Sequence, residues 1–263
     1  MTFAQQRVWL TGASSGIGRA LALALSHRGA RLVLSARRTE ALEHVRAACA
    51  HPEHHQLLPF DLADLEALPN LAARAQQDGG AINVLIHCGG ISQRALAQDT
   101  GFEVDRRLMN VNYFAPVILT KAVLPSMLAR RQGHVIVVSS LVGKFGVPLR
   151  SGYAASKHAL HGFFDSLRAE CHDNGLRVTI ACPGFIRTDI SLHALTADGQ
   201  PQGTMDQAQA GGMAPETCAE QILRAAEADR PEVYIGGREV LGVYLKRLVP
   251  SLFYRFIRSA QVT

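Results

Sequence analysis

The 263-residue chain is 48% hydrophobic and 19% charged, a balance that fits a folded globular protein and excludes a disordered one. Its net charge of +5 comes from scattered Lys and Arg with few aromatics among them, so no nucleic-acid surface is indicated, and a phosphorylated ligand accounts for part of the excess. Five cysteines without a CxxC pair indicate neither a disulfide framework nor a zinc site.

Short apolar runs alternate with longer amphipathic segments, the pattern of βαβ units around a parallel sheet. Strand candidates are residues 7–11, 31–35, 56–60, 82–87, 133–139, 176–182 and 232–236. Helices are expected between them, with Thr39 and Thr100 near N-termini and Gly29 and Gly175 just past C-termini. This order predicts one α/β domain over 1–263 with a doubly wound parallel sheet, whose ligand site lies at the carboxyl ends of the strands. Arg7-Val8-Trp9-Leu10 opens strand-like sequence with no signal peptide before it, and no apolar run reaches the length of a bilayer span; the expected location is the cytoplasm.

Thr11-Gly12-Ala13-Ser14-Ser15-Gly16-Ile17-Gly18 follows the first strand and opens a helix running through Leu25. Its glycines let backbone approach a phosphate, and the helix N-terminus adds unpaired N–H groups and a positive dipole end, so a pyrophosphate needs no lysine. A Walker loop would end in Gly-Lys-Ser/Thr, and the GxxxGxG spacing also differs from GxGxxG. After the second strand an acid would bind the adenosine ribose hydroxyls of NAD, but the chain has Arg37 and Arg38 there. A guanidinium matches a 2′-phosphate in charge and geometry, which points to NADP(H), carried mostly by Arg37 because Arg38 can also face solvent at the start of the next helix. His51, His54 and His55 sit beside Pro52 in a helix-to-strand connection without regular ligand spacing, and no metal site is expected.

Tyr153-Ala-Ala-Ser-Lys157 follows Ser140 by thirteen residues. If 151–172 is helical, Tyr153 and Lys157 share a face, and an ammonium beside a phenol favours phenolate. That pairing suggests redox chemistry at a carbonyl, although YxxxK alone also occurs on solvated faces. Residues 196–215 are rich in Gly, Gln, Ala and Pro, too polar to form core, and read either as part of a mobile substrate lid over 190–215 or as plain disorder. In 240–258, Leu241, Tyr244, Leu245, Leu248, Val249, Leu252, Phe253, Phe256 and Ile257 recur at helical spacing, with Lys246, Arg247, Arg255 and Arg258 on the opposite side and Pro250 dividing the stretch into two helices. Burial against the domain or a second subunit is the expected use, with peripheral contact to an anionic membrane as the alternative.

TGASSGIG, Asn112, Ser140, YxxxK and Pro183-Gly184 occur in the order and spacing of the short-chain dehydrogenase/reductases, which the chain resembles over nearly its whole length. The stretches ISQRALAQDT, RRLMNVNYF and VYLKRLVPSLFYR resemble the hydroxysteroid- and retinal-type dehydrogenases. The resemblance implies a Rossmann-like fold of about seven strands, a homodimer or homotetramer, and a shared mechanism. In it Tyr153 matches the acid-base that exchanges a proton with the carbonyl oxygen while hydride moves to or from the cofactor. Lys157 matches the residue that lowers the phenol's pKa and holds the nicotinamide-ribose hydroxyls, Ser140 the donor to the substrate oxygen, and Asn112 the anchor of a water-linked relay to the lysine. Gly12, Ser14, Ser15, Gly16, Ile17 and Gly18 match the phosphate loop, Asp61 and Leu62 the adenine-binding positions, and Pro183, Gly184, Ile186 and Thr188 the segment lining the nicotinamide.

One departure stands out: where the family has Asn-Asn-Ala-Gly after the fourth strand, this chain reads His87-Cys88-Gly89-Gly90. His87 replaces the first asparagine's hydrogen bonds only in the right tautomer, and Gly89 lacks a methyl, while Cys88, Gly89 and Gly90 still offer a Gly-rich backbone to the cofactor. A nucleophilic Cys88 is disfavoured because no base partner is indicated. The leading function is an NADP(H)-dependent oxidoreductase on a ketone, aldehyde or alcohol, with an apolar steroid, retinoid or lipid-derived carbonyl favoured. The alternatives are a 3-oxoacyl-carrier-protein reductase, whose acidic carrier would meet Arg130 and Arg131, and a non-catalytic NADP(H)-binding sensor or scaffold.

Overall fold

A computed structural model describes residues 2–77 and 79–258. Seven strands form one parallel sheet in the order β3-β2-β1-β4-β5-β6-β7. They are β1 (Arg7–Thr11), β2 (Arg31–Ser35), β3 (Gln56–Leu57), β4 (Val84–His87), β5 (Gly133–Val138), β6 (Leu176–Pro183) and β7 (Glu232–Ile235). The helices are α1 (Gly16–His27), α2 (Thr39–Ala48), α3 (Leu68–Gln77), α4 (Phe102–Met109), α5 (Ala115–Ala129), α6 (Ser151–Glu170), α7 (Gln207–Ala210), α8 (Pro215–Glu227), α9 (Leu241–Leu248) and α10 (Pro250–Ile257). All seven expected strands are present. β3 pairs over two residues of the expected five, although Leu58 N and Phe60 N beyond it still donate to the Leu34 and Ala36 carbonyls at 3.0 and 3.1 Å.

Strand side chains alternate between two apolar clusters, one on each face of the sheet. Trp9, Val33, Leu85, Val135 and Val137 join Leu119, Leu160 and Phe164 on one face. Leu10, Leu34, Ile86 and Ile136 join Leu21, Leu25 and Ile222 on the other. Both faces being covered explains why the strands read as continuous apolar runs. The strand order reverses between β1 and β4, which opens a crevice at their carboxyl ends.

α4 and α5 are joined without a break by a π-helical turn, Asn110–Phe114, giving one helix of 28 residues over Phe102–Ala129. By length and composition this helix suffices to cross a bilayer, contrary to the sequence expectation. It packs as a core helix instead, with Leu108, Val111, Leu119, Val123 and Met127 turned inward.

The 196–215 segment, expected to be too polar for core, contributes buried residues through paired side chains. Asp206 and Gln209 are buried, as are Ser191, Ala194 and Leu195 just before it. At the C-terminus, Pro250 separates α9 from α10 as expected. Their apolar face is only partly covered: Val243 and Phe253 are buried, Phe253 against Phe145, while Leu241, Tyr244, Leu248 and Leu252 are exposed. Lys246 departs from the solvent side expected for it, because its Nζ donates to the Lys144 carbonyl at 2.9 Å.

Candidate active site

The glycine loop folds tightly against the end of β4. Gly12 has φ +70°, and a Cβ there would lie 2.5 Å from the Gly89 backbone. Gly18 packs on the Gly12 carbonyl, and a Cβ on Gly16 would meet Thr188 at 2.9 Å. Ser15 is the N-cap of α1 and makes no side-chain cap bond, which leaves the first-turn N–H groups without that partner. Ser14 and Ile17 are half-buried beside it. A narrow cradle of backbone at a positive helix end fits a dinucleotide pyrophosphate.

Arg37 and Arg38 follow β2 and are both exposed, with Arg38 as the N-cap of α2. Asp61 Oδ1 accepts from the Ala63 N–H at 2.9 Å, a local turn that shapes the backbone beside Leu62. Leu62 also answers the missing methyl at Gly89, because a Cβ on Gly89 would run into its Cδ1.

His87 is buried, and its Nε2 bonds Thr120 Oγ1 on α5 at 2.8 Å. Burial, with Lys157 nearby, pushes its pKa down to about 3, so the ring is neutral. Its Nδ1 has no hydrogen-bond partner among the described residues. Burial pushes the Cys88 thiol up to about 12, the reverse of what a nucleophile needs. A Cβ on Gly90 would lie 3.1 Å from Asn112 Oδ1 and 3.6 Å from Lys157 Nζ, so bare backbone lets β4 meet both side chains.

Four polar residues converge from different elements. Asn112 sits in the π-helical turn, buried, where Oδ1 accepts from Ile91 N at 2.9 Å and Nδ2 donates to Ile91 O at 2.9 Å and Ser156 Oγ at 3.0 Å. Ser140 caps a short 3-10 turn after β5, and its Oγ donates to the Pro183 carbonyl at 3.2 Å. Tyr153 and Lys157 lie one turn apart on α6, with Lys157 Nζ 5.7 Å from the tyrosine ring centroid and donating to Val138 O at 3.0 Å. Pro183 ends β6, and Gly184 and Phe185 pack on Glu239, whose carboxylate accepts from the Phe185 N–H. Gln209 Nε2 reaches the Ile186 carbonyl and Thr188 Oγ1, the latter at 3.3 Å.

Thr120, Ser156, Gln209 and Glu239 were not singled out in the sequence. Each acts on a partner remote in the chain, and no local pattern marks such a residue. Arg130 and Arg131 are already engaged, with Nη2 of Arg130 on the Ile82 carbonyl at 2.8 Å and Nη2 of Arg131 on the Asp173 carbonyl at 2.6 Å. The three histidines near Pro52 divide. His55 is buried, accepting from Leu32 N through Nδ1 and contacting Ala50 O through Nε2, while His51 and His54 stack on the surface beside Glu53.

A glycine loop at the switch point of a doubly wound sheet, with Ser140 just after β5 and Tyr153 and Lys157 on α6, is the arrangement of a dinucleotide-dependent oxidoreductase. Residues 6–198 match the family described as short chain dehydrogenase. Dehydrogenase/reductase SDR family member 7B of Bos taurus is 45% identical over 260 residues, covering 96% of this chain and 80% of that protein. A short-chain dehydrogenase from Streptomyces avermitilis superposes with a TM-score of 0.83 at 28% identity, covering 99% of this chain and 100% of that one. Two structures under 25% identical share the fold. One is from Burkholderia cenocepacia in complex with NADP (TM-score 0.81, 23% identity, 99% and 100% of the two chains), the other from Burkholderia phymatum in complex with NAD (0.83, 21%, 96% and 96%). The chain belongs to the short-chain dehydrogenase family and is an oxidoreductase of that class.

Proposed function

We propose that the protein is an NADP(H)-dependent reductase or dehydrogenase that interconverts an apolar ketone or aldehyde and its alcohol. The observation that carries this reading is the convergence of Ser140, Tyr153 and Lys157 beside the glycine cradle. When bound, the cofactor supplies or accepts the hydride. Tyr153 gives its phenolic proton to the carbonyl oxygen in reduction and takes it back in oxidation. Ser140, its single O–H turned from the Pro183 carbonyl, donates to the same oxygen and stabilises the charge that develops there. Lys157 holds the nicotinamide-ribose hydroxyls, and Asn112 keeps the π-helical turn and Ser156 in register behind it. Pro183, Gly184, Ile186 and Thr188 line the nicotinamide, and Asp61 and Leu62 the adenine. The exposed Arg37, aided by Arg38, supports NADP(H) over NAD(H), since no acid stands at the end of β2. Residues 190–215 act as the substrate cover.

A panel of carbonyls and alcohols, followed at the reduced-nicotinamide absorbance with each cofactor, tests the reading. Turnover of apolar carbonyls with NADPH is expected, and its loss in Tyr153→Phe with NADPH binding retained. Undiminished turnover in that variant would refute the proton-transfer role.

The C-terminal helices support contact with an anionic membrane surface. Exposed Leu241, Tyr244, Leu248 and Leu252 lie on helices that also expose Arg247, Arg255 and Arg258. An anionic bilayer offers apolar interior to the first set and phosphate to the second. Cosedimentation with phosphatidylserine vesicles but not phosphatidylcholine ones is expected; equal recovery in the absence of vesicles would sink it.

A further inference from the structure

The strongest polar feature outside these residues is a chain of buried side chains that runs from the 190–215 segment to the backbone of Tyr153. Its outer end is Asp206, the N-cap residue of α7, whose side chain is 1% exposed. Its Oδ2 accepts from Arg94 Nε at 2.9 Å and from Arg94 Nη2, and from Arg150 Nη2 at 3.2 Å, while Oδ1 accepts from Gln202 Nε2 at 3.1 Å. Burial works against the charge, yet the Arg94 and Gln202 bonds and the two guanidinium charges hold the carboxyl below its ordinary range. Arg94 and Arg150 are 8% and 7% exposed, so the one negative charge of Asp206 is set against two cations that solvent barely reaches.

The inner end is Gln93, which is fully buried. Its Oε1 accepts from the Gly152 N–H at 2.8 Å and the Tyr153 N–H at 3.3 Å. These are first-turn amides of α6, and the helix's own N-cap residue, Arg150, supplies no side-chain cap. Gln93 is therefore the cap, delivered from another part of the chain. Its Nε2 donates to Thr100 Oγ1 at 2.7 Å, fixing which way the amide faces. Arg94 Nη1 donates to the Gln93 carbonyl at 2.6 Å and to Ser92 Oγ at 2.8 Å, which joins the two ends. Backbone bridges seat the same stretch: Arg94 N donates to Leu195 O at 2.8 Å and Ala95 N to Leu149 O at 3.1 Å.

We infer that Gln93, Arg94, Arg150 and Asp206 form a clamp through which the seated 190–215 segment positions Tyr153, making Gln93 and Asp206 positioning residues of the reaction. The inference rests on Tyr153 being the proton donor. It assigns the 190–215 segment a role beyond shielding the substrate, because a cover that lifts takes Asp206 with it and removes the one carboxylate that Arg94 and Arg150 share beside the start of α6. Misplacing a reacting group by an ångström is enough to cost catalysis heavily.

The test is a double-mutant cycle on turnover of the best carbonyl from the panel, using Asp206→Asn and Gln93→Met, which preserve size and remove the charge and the cap. Each is expected to lower kcat by about 10- to 100-fold with NADPH affinity within about twofold of wild type. The double variant is expected to fall no further than the worse single one, since both break one chain of contacts. Hydrogen exchange should show faster opening of residues 190–210 in Asp206→Asn. Thermal unfolding with saturating NADPH reports whether each variant folds, and if Asp206→Asn does not, Arg94→Lys takes its place in the cycle. Multiplying effects, or wild-type kcat in either single variant, would overturn the clamp. Tyr153→Phe run in parallel keeps the two ideas apart: turnover in that variant overturns the tyrosine's role, whereas its inactivity beside undiminished Asp206→Asn and Gln93→Met overturns only the clamp.

Discussion

The two sides of the crevice are built by different means. The cofactor side is backbone: Gly12, Gly16 and Gly18 are held by contacts with Gly89, Thr188 and each other that leave little room for a side chain. The cover side is made of single side chains at Gln93, Arg94, Arg150 and Asp206, joined by charge and burial across more than a hundred positions of chain. The difference teaches where each can change. A backbone cradle recognises what all its ligands share, a pyrophosphate, and tolerates nothing larger than hydrogen at its contact points. A side-chain clamp depends instead on every one of its members, so a single substitution there breaks it without touching the cradle.

The sharpest way to break this contrast is Gly12→Ala. A methyl there meets the Gly89 backbone in a left-handed conformation, and neither neighbour can retreat as a flexible side chain would. A loss of about 3 kcal/mol in stability is expected, with NADPH affinity down by about 100-fold, read by thermal unfolding and fluorescence titration. Wild-type binding would mean that the cradle is looser than its packing implies. Arg37→Asp acts on the same side but through a side chain, and should leave stability alone. It is expected to move the NADPH-to-NADH ratio of kcat/KM by about 100-fold toward NADH, as an acid replaces a phosphate-pairing guanidinium. An unchanged ratio would remove Arg37 from cofactor selection.

The smallest effect is expected beneath both sides, at His87. The native ring stays neutral down to about pH 3, whereas the unfolded chain takes up this proton below its ordinary value of about 6.5. Its contribution to stability is therefore complete above about pH 6.5 and is lost progressively as pH falls toward 3. His87→Asn removes that term and keeps a polar group for Thr120. Its unfolding temperature should fall less steeply than that of wild type between pH 7 and 5, by the equivalent of about 1 kcal/mol per pH unit. Parallel curves would show that the buried ring titrates no differently from one in the unfolded chain.

The same contrast explains what could be read before folding. The seven strands, the helix ends near Thr39 and Gly175, the phosphate loop and the Tyr153–Lys157 spacing are all local patterns of burial, chirality or helical pitch, so they are written in consecutive residues. The break at Pro250 is local in the same sense. The 196–215 segment went the other way: its composition reads as polar surface, yet Asp206 and Gln209 are buried because partners from positions 94, 150 and 186 meet them. The exposed strip on α9 and α10, and the placement of Lys246 on the Lys144 carbonyl, likewise depend on where the hairpin lands.

By itself, then, the amino-acid order determined the alternation of elements, the cofactor cradle and the spacing of the tyrosine and lysine, because each follows from the geometry of one strand, turn or helix. Only the tertiary structure decided that Gln93 caps α6, that Leu62 fills the space a methyl at position 89 would take, and that one carboxylate pairs two buried arginines. Those outcomes depend on which distant side chains exclude water together, and no window of sequence contains that information.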